Sequence, residues 1–271
     1  MPFVVDISAH ISDHLDHDGA VDFPVGLRQL YYAGESRIHE VAGKRAVVRP
    51  DTDQVLSIVP NGCQLFTHHQ VLVAVQAAIT DLNGGMVSRG IYVDRHGARM
   101  RALFRFGGMT RRVTGDDEVS PCIMIENSYE PSSRIQVHLG ALRFLGTTLA
   151  LGGGGVFSSG YLAGVHGREI GIEQATAQLS DYLRRFDSIV AQYRSWMGTE
   201  FSWNRMAELL DSLPPKAAKR VRRSMRGVTD QHVYAVFNEA TYEATHRMRS
   251  FQDAFRLMEF INHSFQQFFP G

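Results

Sequence analysis

Apolar and polar residues change their rhythm twice along this chain. Between residues 67 and 82, Val71, Val75, Ala78, Ile79 and Leu82 recur every three or four positions, the spacing of one helical face. Thr67 stands where an N-cap belongs, and Asn83-Gly84-Gly85 ends the run. Between residues 90 and 144 the rhythm becomes that of strands. Residues 90–94 and 98–106 flank Asp94-Arg95-His96-Gly97, and residues 122–129 and 134–144 flank Glu130-Pro131-Ser132-Ser133. Each set predicts a β-hairpin.

From residue 172 the helical period returns. Leu179, Leu183, Phe186, Ile189, Val190 and Tyr193 predict a helix over 172–197. A shorter helix over about 202–212 stops at Pro214-Pro215, and a basic helix follows over about 216–226. Thr229 or Asp230 then caps one long helix reaching Phe268, striped by Val233, Val236, Phe237, Ala240, Ala244, Met248, Phe251, Phe255 and Met258. Ahead of residue 67 the pattern is weak. Glycine, proline and aspartate interrupt it, leaving short candidate strands at 46–49 and 55–59 and a turn at Pro60-Asn61-Gly62. The expected organisation is an irregular N-terminal segment, 1–45, and a single α+β domain, 46–271. In that domain an antiparallel sheet of hairpins is backed by C-terminal helices from about residue 172, one of them long.

Composition narrows the function. Hydrophobic residues make up 44% of 271, enough for a sizeable core. Lysine plus arginine equals aspartate plus glutamate at 28 each, so any electrostatic partner must be met by a local patch. Cys63 and Cys122 are too few for a disulfide scaffold or a zinc site and read as reduced structural thiols. No apolar run approaches the roughly 20 residues that cross a bilayer, and Met1 to His10 lack a signal-peptide pattern. A cytoplasmic protein with no membrane partner is the expectation.

Candidate chemistry is sparse. His10, Asp13, His14, Asp16, His17 and Asp18 lack a His-Glu-x-x-His pattern and read as a polar cluster, so no metal is expected. Gly152-Gly153-Gly154-Gly155 is followed by no Gly-Lys-Ser or Gly-Lys-Thr and has no dinucleotide-binding spacing, so it reads as a connector. Gly-x-Ser-x-Gly is absent, and Asp116-Asp117-Glu118 reads as a solvated acidic run. No cofactor is implied, and the chain leans away from an enzyme. A cleft joining Glu126, Asn127 and His138 is the arrangement that would favour one acting on a nucleotide or phosphorylated substrate.

Two basic constellations stand out. Arg99, Arg101, Leu103 and Arg105 alternate with Met100, Ala102, Phe104 and Phe106, which puts the arginines on one strand face. Arg134, Gln136 and His138 line one face of a later strand, and Arg89, Arg111 and Arg112 lie near strand ends. Side by side, these strands would present one arginine-rich surface to a phosphate backbone, because guanidinium binds phosphate through paired hydrogen bonds and keeps its charge. Tyr92 and Tyr129 would stack unpaired bases. Equally, arginines are normal residents of a solvated sheet face. The second constellation is Lys216, Lys219, Arg220, Arg222, Arg223 and Arg226, with no acid between them. At helical pitch Lys216, Lys219, Arg220 and Arg223 share a side. They would grip nucleic acid, meet an acidic neighbour in an oligomer, or simply face water.

Two motifs carry a resemblance. One is Asn127-Ser128-Tyr129-Glu130-Pro131-Ser132-Ser133 with Val137-His138-Leu139-Gly140-Ala141-Leu142-Arg143-Phe144 after it. The other is Val233-Tyr234-Ala235-Val236-Phe237-Asn238-Glu239-Ala240-Thr241-Tyr242-Glu243-Ala244-Thr245-His246. Together they resemble the phage/plasmid-like family called domain of unknown function 932, over roughly residues 45 to 265. This chain has Leu145-Gly146-Thr147-Thr148 where the family often has Cys-x-Asn-Gly. The family's setting beside recombination and replication genes implies a DNA-related role. The architecture is more loosely similar to single-strand annealing proteins. The expectation is a single-stranded nucleic-acid binder or annealing factor of a mobile element, acting as a homo-oligomer. The alternative is a non-enzymatic oligomeric interaction component. Asn127 and Asn238 either cap backbone or touch a ligand.

Overall fold

Residues 26–60, read as mostly irregular, form a three-stranded antiparallel sheet in the computed structural model, which describes residues 21–63, 65–80, 88–130, 135–143, 148–151, 172–225, 232–247 and 251–270. Strands β1 (Gly26–Ala33), β2 (Ile38–Arg49) and β3 (Gln54–Pro60) lie in that order. The expected boundary at residue 45 falls inside β2 and is corrected accordingly. The outer half of the β1–β2 ribbon faces water on both sides, with Tyr31, Tyr32 and Ile38 all more than half exposed. Strands with two wet faces show no apolar–polar alternation. Their backbone ladder is supported by Gln29 donating to Glu40 at 2.7 Å and by Tyr32 stacked on His39 at 5.1 Å.

A reciprocal capping box opens α1 (His68–Thr80). Thr67 Oγ1 accepts the Gln70 N–H at 3.1 Å, and Gln70 Oε1 accepts the Thr67 N–H at 2.9 Å. The chain then builds a second antiparallel sheet from β4 (Ser88–Asp94), β5 (Arg99–Arg105), β6 (Arg111–Thr114), β7 (Asp117–Ser128), β8 (Gln136–Arg143) and β9 (Thr148–Leu151). Its order is β4-β5-β7-β8-β9, with β6 also on β7. Both expected hairpins are present, as β4 with β5 and β7 with β8. The first tip needs positive φ at His96 and Gly97, 61° and 101°. A Cβ on Gly97 would come within 2.6 Å of the Phe23 ring, so glycine meets both a conformational and a spatial demand there.

The helices are α2 (Ile172–Met197), α3 (Trp203–Ser212), α4 (Pro215–Met225), α5 (Val233–Arg247) and α6 (Phe251–Phe268). The single long helix expected up to Phe268 is two helices folded back on each other. The rings of Phe237 and Phe265 lie 5.2 Å apart, whereas one straight helix would separate them by about 40 Å. An apolar stripe cannot reveal such a reversal, because each half needs its own buried face. Trp196, Tyr193, Phe237 and Phe265 are fully buried at the centre of these helices, and Trp196 Nε1 donates to the Phe269 carbonyl at 2.8 Å.

Sheet and helices share one core. The Tyr182 hydroxyl of α2 donates to the Gly140 carbonyl in β8. A smaller core of Phe23, Val47, Val59 and Tyr129 joins the first sheet to the second. Cys63 and Cys122 are not joined in a disulfide, and burial pushes each above its ordinary pKa. Among the described residues no helix is long and apolar enough to cross a membrane.

Candidate nucleic-acid interface

The register of the second sheet decides what the arginine face is. Arg99 pairs with Ser128, Arg101 with Glu126, Leu103 with Met124 and Arg105 with Cys122. On the far side of β7, Glu126 pairs with Gln136 and Met124 with His138. Directly paired residues share a face, so Arg99, Arg101, Arg105 and His138 do stand on one side as the alternation implied. Tyr92, half-buried, lies across from Arg101 on the same side.

That side is not an open cationic surface, which corrects the solvated-face expectation. Leu103, Met124, Glu126 and His138 on it are all buried. The Arg99 and Arg101 side chains retain 14% exposure and converge on Glu126, itself 4% exposed. Arg101 Nε donates to Glu126 at 3.0 Å, and a terminal Arg99 nitrogen donates to Glu130 at 2.7 Å. Arg105 is half-buried, and loss of water pulls its guanidinium below its ordinary value. Other arginines of this region are paired as well. Arg111 meets Asp187 at 2.7 Å, Arg112 meets Glu118 at 3.8 Å and Arg143 meets the buried Asp117 at 2.7 Å. Charge that a neighbouring carboxylate already holds offers little to a phosphate.

Tyr129 and Asn127 belong to an internal junction instead. His68 is fully buried at the start of α1. Asn127 Nδ2 donates to His68 Nδ1 at 2.9 Å and to the Phe66 carbonyl at 3.2 Å. With Nδ1 accepting, the imidazole carries its proton on Nε2 and donates to the Gly97 carbonyl at 2.9 Å. Burial pushes the His68 pKa down to about 4, so the ring is neutral. The Tyr129 ring stacks on it at 4.4 Å, and its hydroxyl accepts the His68 N–H at 3.1 Å. Tyr129 is only 4% exposed and offers no platform to a base, a correction of its expected role. Asn127 caps backbone. Being adjacent along β7, Asn127 and Glu126 point to opposite sheet faces, so Glu126, Asn127 and His138 do not open onto one cleft.

Helix α4 differs in every respect. Pro215 occupies its first position, where the missing N–H costs nothing. Val221 and Met225 are buried and half-buried Ala218 packs beside them, one stripe at helical spacing. This stripe packs α4 against α3 and α5. Lys216, Lys219, Arg222 and Arg223 are exposed, while Arg220 is half-buried, so Arg222 replaces Arg220 on the accessible side. Among the described residues, no ion pair engages Lys216, Lys219, Arg222 or Arg223. Arg222 and Arg223 also sit in the last turn, where cations suit the helix dipole. Between the end of α3 and α4 runs a groove of about 550 Å³, with Lys219, Arg222, Arg223 and Asp211 on it and buried Leu210 and Leu213 beneath.

The structure thus gathers Lys219, Arg222 and Arg223 at one groove and Arg99 and Arg101 at one carboxylate. These two groups rest on different neighbours. Arg134, Arg226, the cluster from His10 to Asp18 and the run Gly152 to Gly155 lie outside the described residues. Asp211 and Leu213 were not singled out by motif. Their signal was the Pro214-Pro215 corner, since two amphipathic helices meeting at a tight corner leave a furrow between them. No family model, no curated protein and no solved structure matches the chain.

Proposed function

We propose that this chain binds single-stranded nucleic acid through the cationic side of α4, as a non-enzymatic binding or annealing factor of a mobile element. The observation that carries the reading is the set Lys216, Lys219, Arg222 and Arg223, exposed and without a carboxylate partner among the described residues. In a chain whose charges balance at 28 each, an uncompensated cationic patch favours a polyanion locally while the rest of the chain carries the balancing negative charge. The resemblance of residues 127–144 and 233–246 to a phage/plasmid-like family supports a DNA-related setting. A cytoplasmic homo-oligomer is the matching cellular form, since annealing needs several strand sites in one assembly.

Fluorescence anisotropy of a labelled oligo-dT tests it. Binding at low salt should weaken as salt rises, with a log–log slope near −3 for four phosphate contacts (~0.7 each). Absence of binding at low salt, or an affinity unchanged by Arg222→Glu with Arg223→Glu, sinks the proposal.

A further inference from the structure

The groove beside α4 holds more than cations, and its mixed lining is informative. A surface that only tracks a phosphate backbone needs positive charge and nothing else. Here Lys219, Arg222 and Arg223 share the groove with apolar Leu213 and Ala218 and with the carboxylate of Asp211. Its volume, about 550 Å³, falls in the range of sites for small organic ligands. A carboxylate placed among the cations repels a bare phosphate chain, but it accepts hydrogen bonds from a base edge bearing N–H groups. The apolar wall suits the flat face of a base that has left its stack.

We infer that this groove takes one unstacked nucleotide. The base lies against Leu213 and Ala218 with its N–H edge toward Asp211, and the 5′-phosphate lies toward Arg222 and Arg223. This rests on the reading of α4 as a nucleic-acid-binding helix and adds the element that distinguishes a single strand from a duplex. Bases in a duplex are paired and stacked, so they cannot enter the groove, and a duplex meets only the cations.

Two measurements on the full chain test it. In the first, wild type and Ala218→Phe are titrated with a 15-nucleotide single strand and with the 15-base-pair duplex of the same sequence. Wild type should prefer the single strand about tenfold. Filling the groove in Ala218→Phe should lower affinity for the single strand more than for the duplex and so remove that preference. The second needs no variant: dGMP and deoxyribose 5-phosphate compete against the bound strand, and dGMP should displace it at about tenfold lower concentration. Equal affinity of wild type for strand and duplex, or equal competition by the two small phosphates, overturns the nucleotide site while leaving α4 as a general phosphate binder. No binding of either oligonucleotide removes both readings together.

Discussion

The arginines of β5 and the cations of α4 look alike in sequence and differ entirely in place. On β5, Arg99 and Arg101 lie across a ladder from Glu126, which shields both. On α4, Lys219, Arg222 and Arg223 line a groove whose one carboxylate, Asp211, sits on the preceding helix and pairs with none of them. A strand inside a sheet has flanking strands that supply counter-charge. Helix α4 is held by one stripe, and its far side carries exposed cations that no described carboxylate pairs. The lesson is that a basic run signals a partner only after its neighbours across the fold have been counted.

The comparison is broken most severely by Glu126→Ala. Removing the shared carboxylate takes a counter-charge from two guanidiniums at 14% exposure, with Arg99 keeping Glu130, so unfolding stability should drop by about 3 kcal/mol. Arg101→Gln with Glu126→Gln should fall less far than Glu126→Gln alone. A Glu126→Ala protein with an unshifted denaturation midpoint would mean the pair is not sheltered.

Acid separates the two regions next. His68 and His138 are both held down to about pKa 4 by burial. The unfolded chain therefore takes up the extra protons, and stability that is complete above the unfolded value near 6.5 is lost as pH falls toward 4. The slope is about 1.4 kcal/mol per pH unit for each histidine, up to roughly 3 kcal/mol apiece. Helix α4 has no histidine, so binding to it should stay level until the fold fails. Urea midpoints between pH 7 and 4 report the first effect, and a His68→Gln variant should show the shallower slope.

Charge reversal on α4 comes third. Arg222→Glu with Arg223→Glu should raise the Kd for oligo-dT by about thirtyfold or more, roughly 2 kcal/mol. It should also reduce the salt slope by about 1.4 and move stability by no more than about 0.5 kcal/mol. The smallest effect belongs to Arg112→Gln. Its pair with Glu118 spans 3.8 Å, with the arginine 68% exposed, so stability should change by under about 0.5 kcal/mol. Oligo-dT affinity should stay within about twofold of wild type if cations already paired on the sheet side do not take part.

Much of the fold was legible because its signals are local. Thr67 and Gln70 cap α1 within four residues, Gly97 sits at a hairpin tip, and Leu179 to Tyr193 carry the helical period of α2. What was not legible depends on contacts across the fold. Alternation along β5 separates its two faces correctly but cannot say whether either is covered, and Arg101 meets Glu126 only through a register 25 residues away. The β1–β2 ribbon hid because both its faces are wet, and the α5–α6 reversal hid because both halves keep an apolar stripe. For the candidate site, the cations of α4 were readable and the groove was not, since Asp211 and Leu213 gain meaning only beside Arg222.

The His68 junction has a consequence for how the chain reaches its native state. The imidazole of one residue bonds to Gly97 and Asn127, positions 29 and 59 residues later in the chain. Helix α1 can begin to coil within microseconds, but its first turn cannot settle until both hairpins have closed. Helix α1 is thereby tied to the second sheet by residues distant in sequence, and refolding should be slower than for a helical bundle of similar length.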